Sequence, residues 1–432
     1  MKVLGILLIL LFTSIPLFLN FKRGSTLVIY FTMAFIASNL YLNIDTGGST
    51  VYVHSLLMVL IFYIFVIKIA LLKVRGNSIY KDSYFNIVMA LTLVNLIFVY
   101  QFLFINKLES ILFVRTWVSY LCIQLLIIVL YNLSKKGLAE YTIINSILIF
   151  SFSNSILSIL QFVTNKTLLI GNFNNSINYT EGLMVVKRVV GFVGANNGAG
   201  NLAAILYPVL LYALVKRKNL YTLVVFILNV IFVILTLTRV GMLAIIVSTT
   251  IYYIFTQTKS KEKILGRMLS IVSMALMLGL FYVLYGNKLI DLLFKYRGET
   301  GDYRLYQFEF AGNLIKENLW FGIGAGNFND IVSIKFNIPQ IGILHSQWLN
   351  IIVEQGIISF LLIMIINLII FLRMIRVYNK QNLWLPLSLF LGNAIVINAN
   401  ANQYYEINNF IFYFIVCGLL FSKHENSRNI MK

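Results

Sequence analysis

Runs of about 20 predominantly apolar residues recur along the whole 432-residue chain. At 1.5 Å per residue each is long enough to cross the roughly 30 Å hydrocarbon core of a bilayer. A backbone in hydrocarbon must bond its own N–H and C=O groups, which makes each such run a helix. Hydrophobic residues make up 59% of the chain and charged residues 11%, a balance that a water-soluble protein has no use for. The expectation is an all-α, polytopic transmembrane helical bundle of about 12–13 spans, with a large external loop containing short helices. The spans fall near 3–19, 26–42, 53–72, 86–105, 111–131, 141–163, 199–215, 220–237, 240–256, 268–286, 347–372, 383–399 and 407–422. No small-x-small cleavage site follows the first apolar run, so it counts as a span and not as a signal peptide.

The formal net charge of +19 does not point to nucleic acid, because the bases gather on no single face or tail. They sit in short connectors. Alternate connectors hold 20 of the 34 Lys and Arg, among them Lys22/Arg23, Lys135/Lys136, Lys216/Arg217/Lys218 and Arg373/Arg376/Lys380. The short connectors of the other side hold only Lys107 and Arg239. Basic loops stay in the cytoplasm, which places the segments 164–198 and 287–346 outside. Cys122 and Cys417 both lie inside apolar spans with no metal-ligand spacing, and a disulfide framework is not expected.

One stretch cannot be read as a span or a short connector. Residues 287–346 carry six acids, six bases, a Gly-rich turn and His345. A loop of that length is uncommon without a function, and polar loops on a rigid scaffold are where function concentrates. The chain divides accordingly into N-terminal spans (1–163), central spans with an external loop (164–286, loop 164–198), the large external loop expected to be catalytic (287–346), and C-terminal spans with a cytoplasmic tail (347–432).

The candidate chemistry lies almost wholly in the second half. Arg188 opens the run RVVGFVGANNGAGN, Arg239 lies in a turn of very few residues between two spans, and Arg304 lies in the external loop. Arg115 sits about one turn inside the fifth span, where an arginine needs a partner or a route to water; snorkelling to the headgroups is the plainer account. Guanidinium groups converging at one membrane face suit a phosphate or pyrophosphate, which they grip bidentately. His345, at the mouth of the eleventh span, could take a proton from an attacking hydroxyl, or simply anchor the interface. Glu354 lies about two and a half turns deeper, where a carboxylate is a functional candidate by default or the partner of an arginine. Gly322-Ile-Gly324-Ala-Gly326 has no strand before it and is not a dinucleotide fingerprint; a tight turn whose amides approach a ligand fits better. Asn197, in ANNGAGN at a span entrance, invites the same reading, with helix N-terminal amides facing an anion. No Asp-x-Asp, His-x-x-His or Cys pair occurs. Metal-independent chemistry without a cofactor is therefore expected, with arginines in the place of a cation.

The run from Arg304 through FGIGAGNF to HSQWLNIIVEQG resembles the C-terminal signature of the O-antigen ligase and Wzy-type polysaccharide polymerase superfamily. The match falls on Arg304, Gly322, Gly324, His345, Leu349, Glu354 and Gly356. The family's upstream segments look like Arg188, Gly191 and Asn197, and like Thr238, Arg239 and Gly241. Leu319 stands where proline is usual, Ser346 where asparagine is usual and Thr238 where serine is usual. The resemblance implies a glycosyltransferase at the outer face of the cytoplasmic membrane that uses glycans carried on undecaprenyl pyrophosphate. In that picture Arg188, Arg239 and Arg304 hold the pyrophosphate, His345 activates the acceptor hydroxyl, and Glu354 supports the site from deeper in the bundle. The partners implied are the lipid-linked oligosaccharide, membrane lipids, a chain-length regulator and a flippase, with no nucleic acid.

A polymerase extends another lipid-linked repeat unit, whereas an O-antigen ligase transfers the glycan to lipid A or another acceptor. Polymerase is the expectation, since nothing in the chain marks a lipid A or protein acceptor. A lipid-linked oligosaccharide flippase is the other alternative. It would need ionisable groups through the first six spans, which are nearly uncharged, and no external loop of this size.

Overall fold

The computed structural model describes residues 21–37, 41–43, 50–52, 83–105, 111–135, 139–169, 173–181, 184–256, 300–337, 344–381, 383–399 and 406–421. Ten of the expected spans fall on these residues, and each is a helix. They are α1 (Phe21–Ala37), α2 (Ser83–Tyr100), α3 (Ile111–Lys135), α4 (Ala139–Thr164), α5 (Asn196–Arg217), α6 (Leu220–Thr236), α7 (Arg239–Phe255), α10 (Gln347–Gln381), α11 (Leu385–Ala399) and α12 (Glu406–Phe421). The expected spans near 3–19, 53–72 and 268–286 lie outside the described residues. The expected external loop contributes two further helices, α8 (Thr300–Glu317) and α9 (Phe328–Phe336). Four of the described helices are long and apolar enough to cross a membrane, and the protein is an all-α membrane protein.

Two short antiparallel hairpins interrupt the helical plan. β1 (Tyr41–Asn43) pairs with β2 (Thr50–Tyr52), so α1 ends at Ala37, short of the expected boundary. β3 (Asn178–Glu181) pairs with β4 (Met184–Lys187), with Tyr179 opposite Val186. Once a segment leaves the helical bundle its backbone groups still need partners, and a local ladder supplies them.

The helices split into those that face lipid and those that are enclosed. On α10 the exposed side chains Leu361, Met364, Ile365, Leu368, Leu372 and Ile375 recur at helical spacing, and on α6 Leu223, Val224, Ile227, Ile231 and Ile234 do the same. These are the apolar stripes that a bilayer would cover. By contrast α12 is buried from Ile407 to Leu420; it packs against α1, α3, α4, α5, α10 and α11. The Asn408 amide on α12 donates to Gly198 O on α5 at 3.0 Å, and Arg373 near the end of α10 donates to Leu420 O on α12 at 3.3 Å. These contacts align α5, α10 and α12 in parallel, with their N-termini at one end of the bundle. At the opposite end Lys216 and Tyr212 of α5 bond Glu140 in the first turn of α4.

The polar segment folds on the first turns of α10. Ala311 and Leu314 of α8, Ile323, Phe328 and Val332 around α9, and Leu344 and Val353 form one buried cluster. The described part of the segment expected as a loop with short helices, 300–337, thus shares a small core with the start of α10.

Candidate functional site

Arg188 is held from three sides at the end of the bundle where α6 stops and α7 starts. Its backbone N–H donates to Ile177 O at 3.2 Å. Its Nε donates to Thr236 O at 3.1 Å, and its guanidinium lies 5.3 Å from the centre of the Tyr179 ring. Such a cation–aromatic contact holds a cation over the electron-rich ring face. Only 3% of Arg188 is exposed. Arg239 is the first residue of α7 and is half-buried. Between the two arginines the Thr236 and Thr238 hydroxyls bond each other at 2.8 Å. One turn therefore carries Arg239 and accepts the Arg188 bond.

Small residues make that turn possible. A Cβ on Gly200 of α5 would lie 2.1 Å from Thr238 Oγ1, and one on Gly241 of α7 would lie 2.8 Å from the same atom. Asn197, the second residue of α5, is half-buried at the same end.

The segment after Arg188 rests on a polar face of α4. The Gln161 Oε1 accepts the N–H groups of Val190 at 3.2 Å and Gly191 at 2.9 Å, and its Nε2 donates to Gly191 O at 3.1 Å and Thr167 O at 2.5 Å. Further back on the same helix, the Asn154 Oδ1 accepts the Phe192 N–H at 2.9 Å. Gly191 has φ +53°, and a Cβ there would sit 2.5 Å from Asn154 Oδ1. Both amide side chains are fully buried. Apart from a 3-10 turn at Gly191–Val193 the stretch from Arg188 to Ala195 is not helical, and these amides supply the partners its backbone would otherwise lack.

A second polar construction surrounds Glu354. Its carboxylate accepts the N–H of Gly326 at 2.8 Å and of Phe328, the first residue of α9, at 3.3 Å. An anion at a helix N-terminus is stabilised by the unpaired amides and the helix dipole. Its carbonyl oxygen accepts the Gly324 N–H at 2.9 Å, Val353 O accepts Ile323 N–H at 3.0 Å, and Leu319 O accepts Ile357 N–H at 2.8 Å. These bonds are possible because α10 breaks at Gly356, whose φ of 78° and ψ of 172° are not helical. The fit leaves no room for side chains: a Cβ on Gly356 would lie 2.2 Å from Trp320 O, and one on Gly322 would lie 2.5 Å from the Glu354 backbone.

This alters the expected part of the glycines. Gly322, Gly324 and Gly326 do form the tight turn, but their amides go to Asn318 O, Glu354 O and the Glu354 carboxylate. The Gly326 amide thus meets the protein's own anion, and those of Gly322 and Gly324 meet backbone carbonyls. Glu354 is wholly buried, and backbone amides take both of its carboxylate oxygens.

His345 lies two residues before α10, half-buried, at the same end of the bundle as Arg188 and Arg239. Arg304 is the fifth residue of α8 and Arg115 the fifth of α3; their side chains lie outside the described residues. Sequence reasoning missed Gln101, Asn154 and Gln161. A single amide in an apolar helix has no local pattern to mark it. The one signal was the cost of burying an amide in a span without a partner.

A bundle of membrane helices with a polar, partly helical segment folded on one end defines a polytopic helical membrane protein. Residues 224–364, about a third of the chain, match the family model described as O-antigen ligase. This segment supports the resemblance to the O-antigen ligase and Wzy-type polymerase superfamily, whose members are glycosyltransferase-like enzymes acting on lipid-linked glycans. The matched segment holds Arg239, Arg304, the glycine turn, His345 and Glu354; Arg188, Asn197 and Arg115 precede it. No curated protein matches the chain.

Proposed function

We propose that the protein is a polysaccharide polymerase, for O-antigen, capsule or exopolysaccharide, that joins repeat units carried on undecaprenyl pyrophosphate. The reaction takes place at the outer face of the bacterial cytoplasmic membrane. The observation that supports the reading is the bond from Arg188 Nε to Thr236 O, three residues before Arg239, at the bundle end where His345 lies. The arginines hold the pyrophosphate and offset the charge that grows on it as the sugar C1–O bond breaks; Arg304 joins them. His345 takes the proton of the acceptor hydroxyl as its oxygen forms the new glycosidic bond, and undecaprenyl pyrophosphate leaves. Glu354 does its part without meeting substrate, by holding the glycine turn and the start of α9. No step calls for a metal ion.

The second reading, transfer of a finished glycan to lipid A or another acceptor, is favoured by the description of the matched family as O-antigen ligase. One experiment separates the two. A strain whose sole copy carries His345→Ala, at normal membrane abundance, is scored for surface polysaccharide length on a gel. Collapse to a single repeat unit is the expected result. Long chains stranded on the carrier lipid would make the protein a ligase, and an unchanged ladder would remove His345 from the chemistry.

A further inference from the structure

We infer that Gln101 is a positioning residue for this site: by bonding both Phe321 and Glu354 it fixes the angle at which α10 breaks, and so where His345 stands. Neither the family match, which begins at residue 224, nor the signature residues reach it.

Gln101 follows α2 and opens a π-helical turn, Gln101–Ile105. Such turns are rare and gather at functional sites. The side chain is fully buried. Its Nε2 donates to Phe321 O at 2.5 Å and to Glu354 O at 2.9 Å. The two carbonyls belong to the two lengths of backbone that meet at the break, one from the glycine turn and one from α10. The preceding residue reinforces the grip, since the Tyr100 ring lies 4.4 Å from the ring of Phe321. Backbone contact alone does not set the angle. Ile323, Gly324 and Ile357 link the turn to α10, whereas Tyr100 and Gln101 tie that joint to the end of α2 in the surrounding bundle.

The geometry makes the angle matter. The part of α10 before the break runs from Gln347 to Gln355, a lever of about 13 Å at 1.5 Å per residue. A change of about 10° at the break moves its free end, beside His345, by about 2 Å. Misplacement of a reacting group by about 1 Å can cost about 100-fold in rate. Removing both Nε2 bonds therefore damages turnover far more than it damages folding or capture of the lipid-linked glycan, which other residues hold.

This inference rests on the proposed transferase reading for its kinetic half and on geometry alone for its structural half, so the test reads both. Wild type, Gln101→Met and Gln101→His are purified into liposomes. Methionine keeps the length and removes the donor; histidine keeps an N–H that can reach the carbonyls. Hydrogen exchange is followed over 319–328, and transfer is assayed with the undecaprenyl-pyrophosphate-linked repeat unit extracted from a strain lacking the gene. Gln101→Met should lose protection over 319–328 and at least tenfold in kcat, with KM for the lipid-linked unit within about twofold, and Gln101→His should recover part of both. Unchanged protection over 319–328 would overturn the latch. Lost protection with wild-type kcat, or a rate that falls only with the melting temperature, would overturn the positioning role. If wild type itself transfers nothing, the transferase reading fails, while hydrogen exchange still decides the latch. If Gln101→Met does not accumulate, Gln101→Leu, which also lacks the donor, takes its place in the comparison.

Discussion

Arg188 donates its Nε hydrogen to the carbonyl oxygen of Thr236 at 3.1 Å, three residues before Arg239. A charged donor on a helix-end carbonyl does two things at once: it satisfies an acceptor that the helix leaves open, and it fixes the plane of the guanidinium. Lysine offers neither a planar fork nor a donor part-way along the chain. Arg188→Lys should therefore lose about tenfold or more of polymer output despite keeping the charge, as charge-assisted hydrogen bonds are worth about 1.5–3 kcal/mol. Polysaccharide gels at matched membrane abundance check this; wild-type output would refute the anchoring.

Gln161 should behave like Arg188, from a distance. It bonds Val190, Gly191 and Thr167. Gln161→Leu leaves their buried backbone groups unmet, at about 1–3 kcal/mol each. The expected outcome is a lower melting temperature in detergent together with a fall in polymer output. A variant that melts like wild type would show that the segment after Arg188 needs no cradle.

Glu354→Gln and Glu354→Ala should separate. Glutamine keeps one acceptor oxygen for Gly326 or Phe328, while alanine strands both amides and loses the anion at the start of α9. Each stranded amide costs about 1–3 kcal/mol. Limited proteolysis between 318 and 337 should be fastest in Glu354→Ala, intermediate in Glu354→Gln and slowest in wild type. Equal rates would remove the carboxylate from its capping role.

Glycines in this region are not interchangeable. Gly356→Ala forces a side chain to φ 78° and a Cβ to within 2.2 Å of Trp320 O. It should destabilise by about 3 kcal/mol or more, as steric overlap and backbone strain add. Gly312, inside α8, has nothing within 4 Å of the place where a methyl group would sit, and Gly312→Ala should be neutral or stabilising by up to about 1 kcal/mol. Melting temperatures of the two variants check the contrast.

The spans could be read from the chain because hydrocarbon imposes one length and one backbone solution on every segment that crosses it; α4, α5 and α6 fall within a few residues of expectation. The long reach of α10 to Gln381 was not expected, since Arg373 and Arg376 look like a connector. Arg373 instead finds Leu420 O on α12. Of the candidate site, the types and order of Arg188, Arg239, His345 and Glu354 are what the chain displays. What they bond to is not displayed. Glu354 is a buried carboxylate at a helical position in sequence, but the amides it accepts lie 26 and 28 residues away on backbone that carries no identity. Gln101 meets Phe321 across 220 residues. No local pattern encodes a contact of that span.

The enclosure of α12 bears on how the protein is made. Every helix that α12 touches precedes it in the chain. A ribosome delivers α1, α3, α4, α5, α10 and α11 to the membrane before the element they surround. Until then their inward faces, including Gly198 O and its future partner's slot, must wait beside one another in lipid. Assembly is therefore a late insertion into a vestibule, not an accretion from one side, and the interval before α12 arrives is when the bundle is most exposed to quality-control proteases.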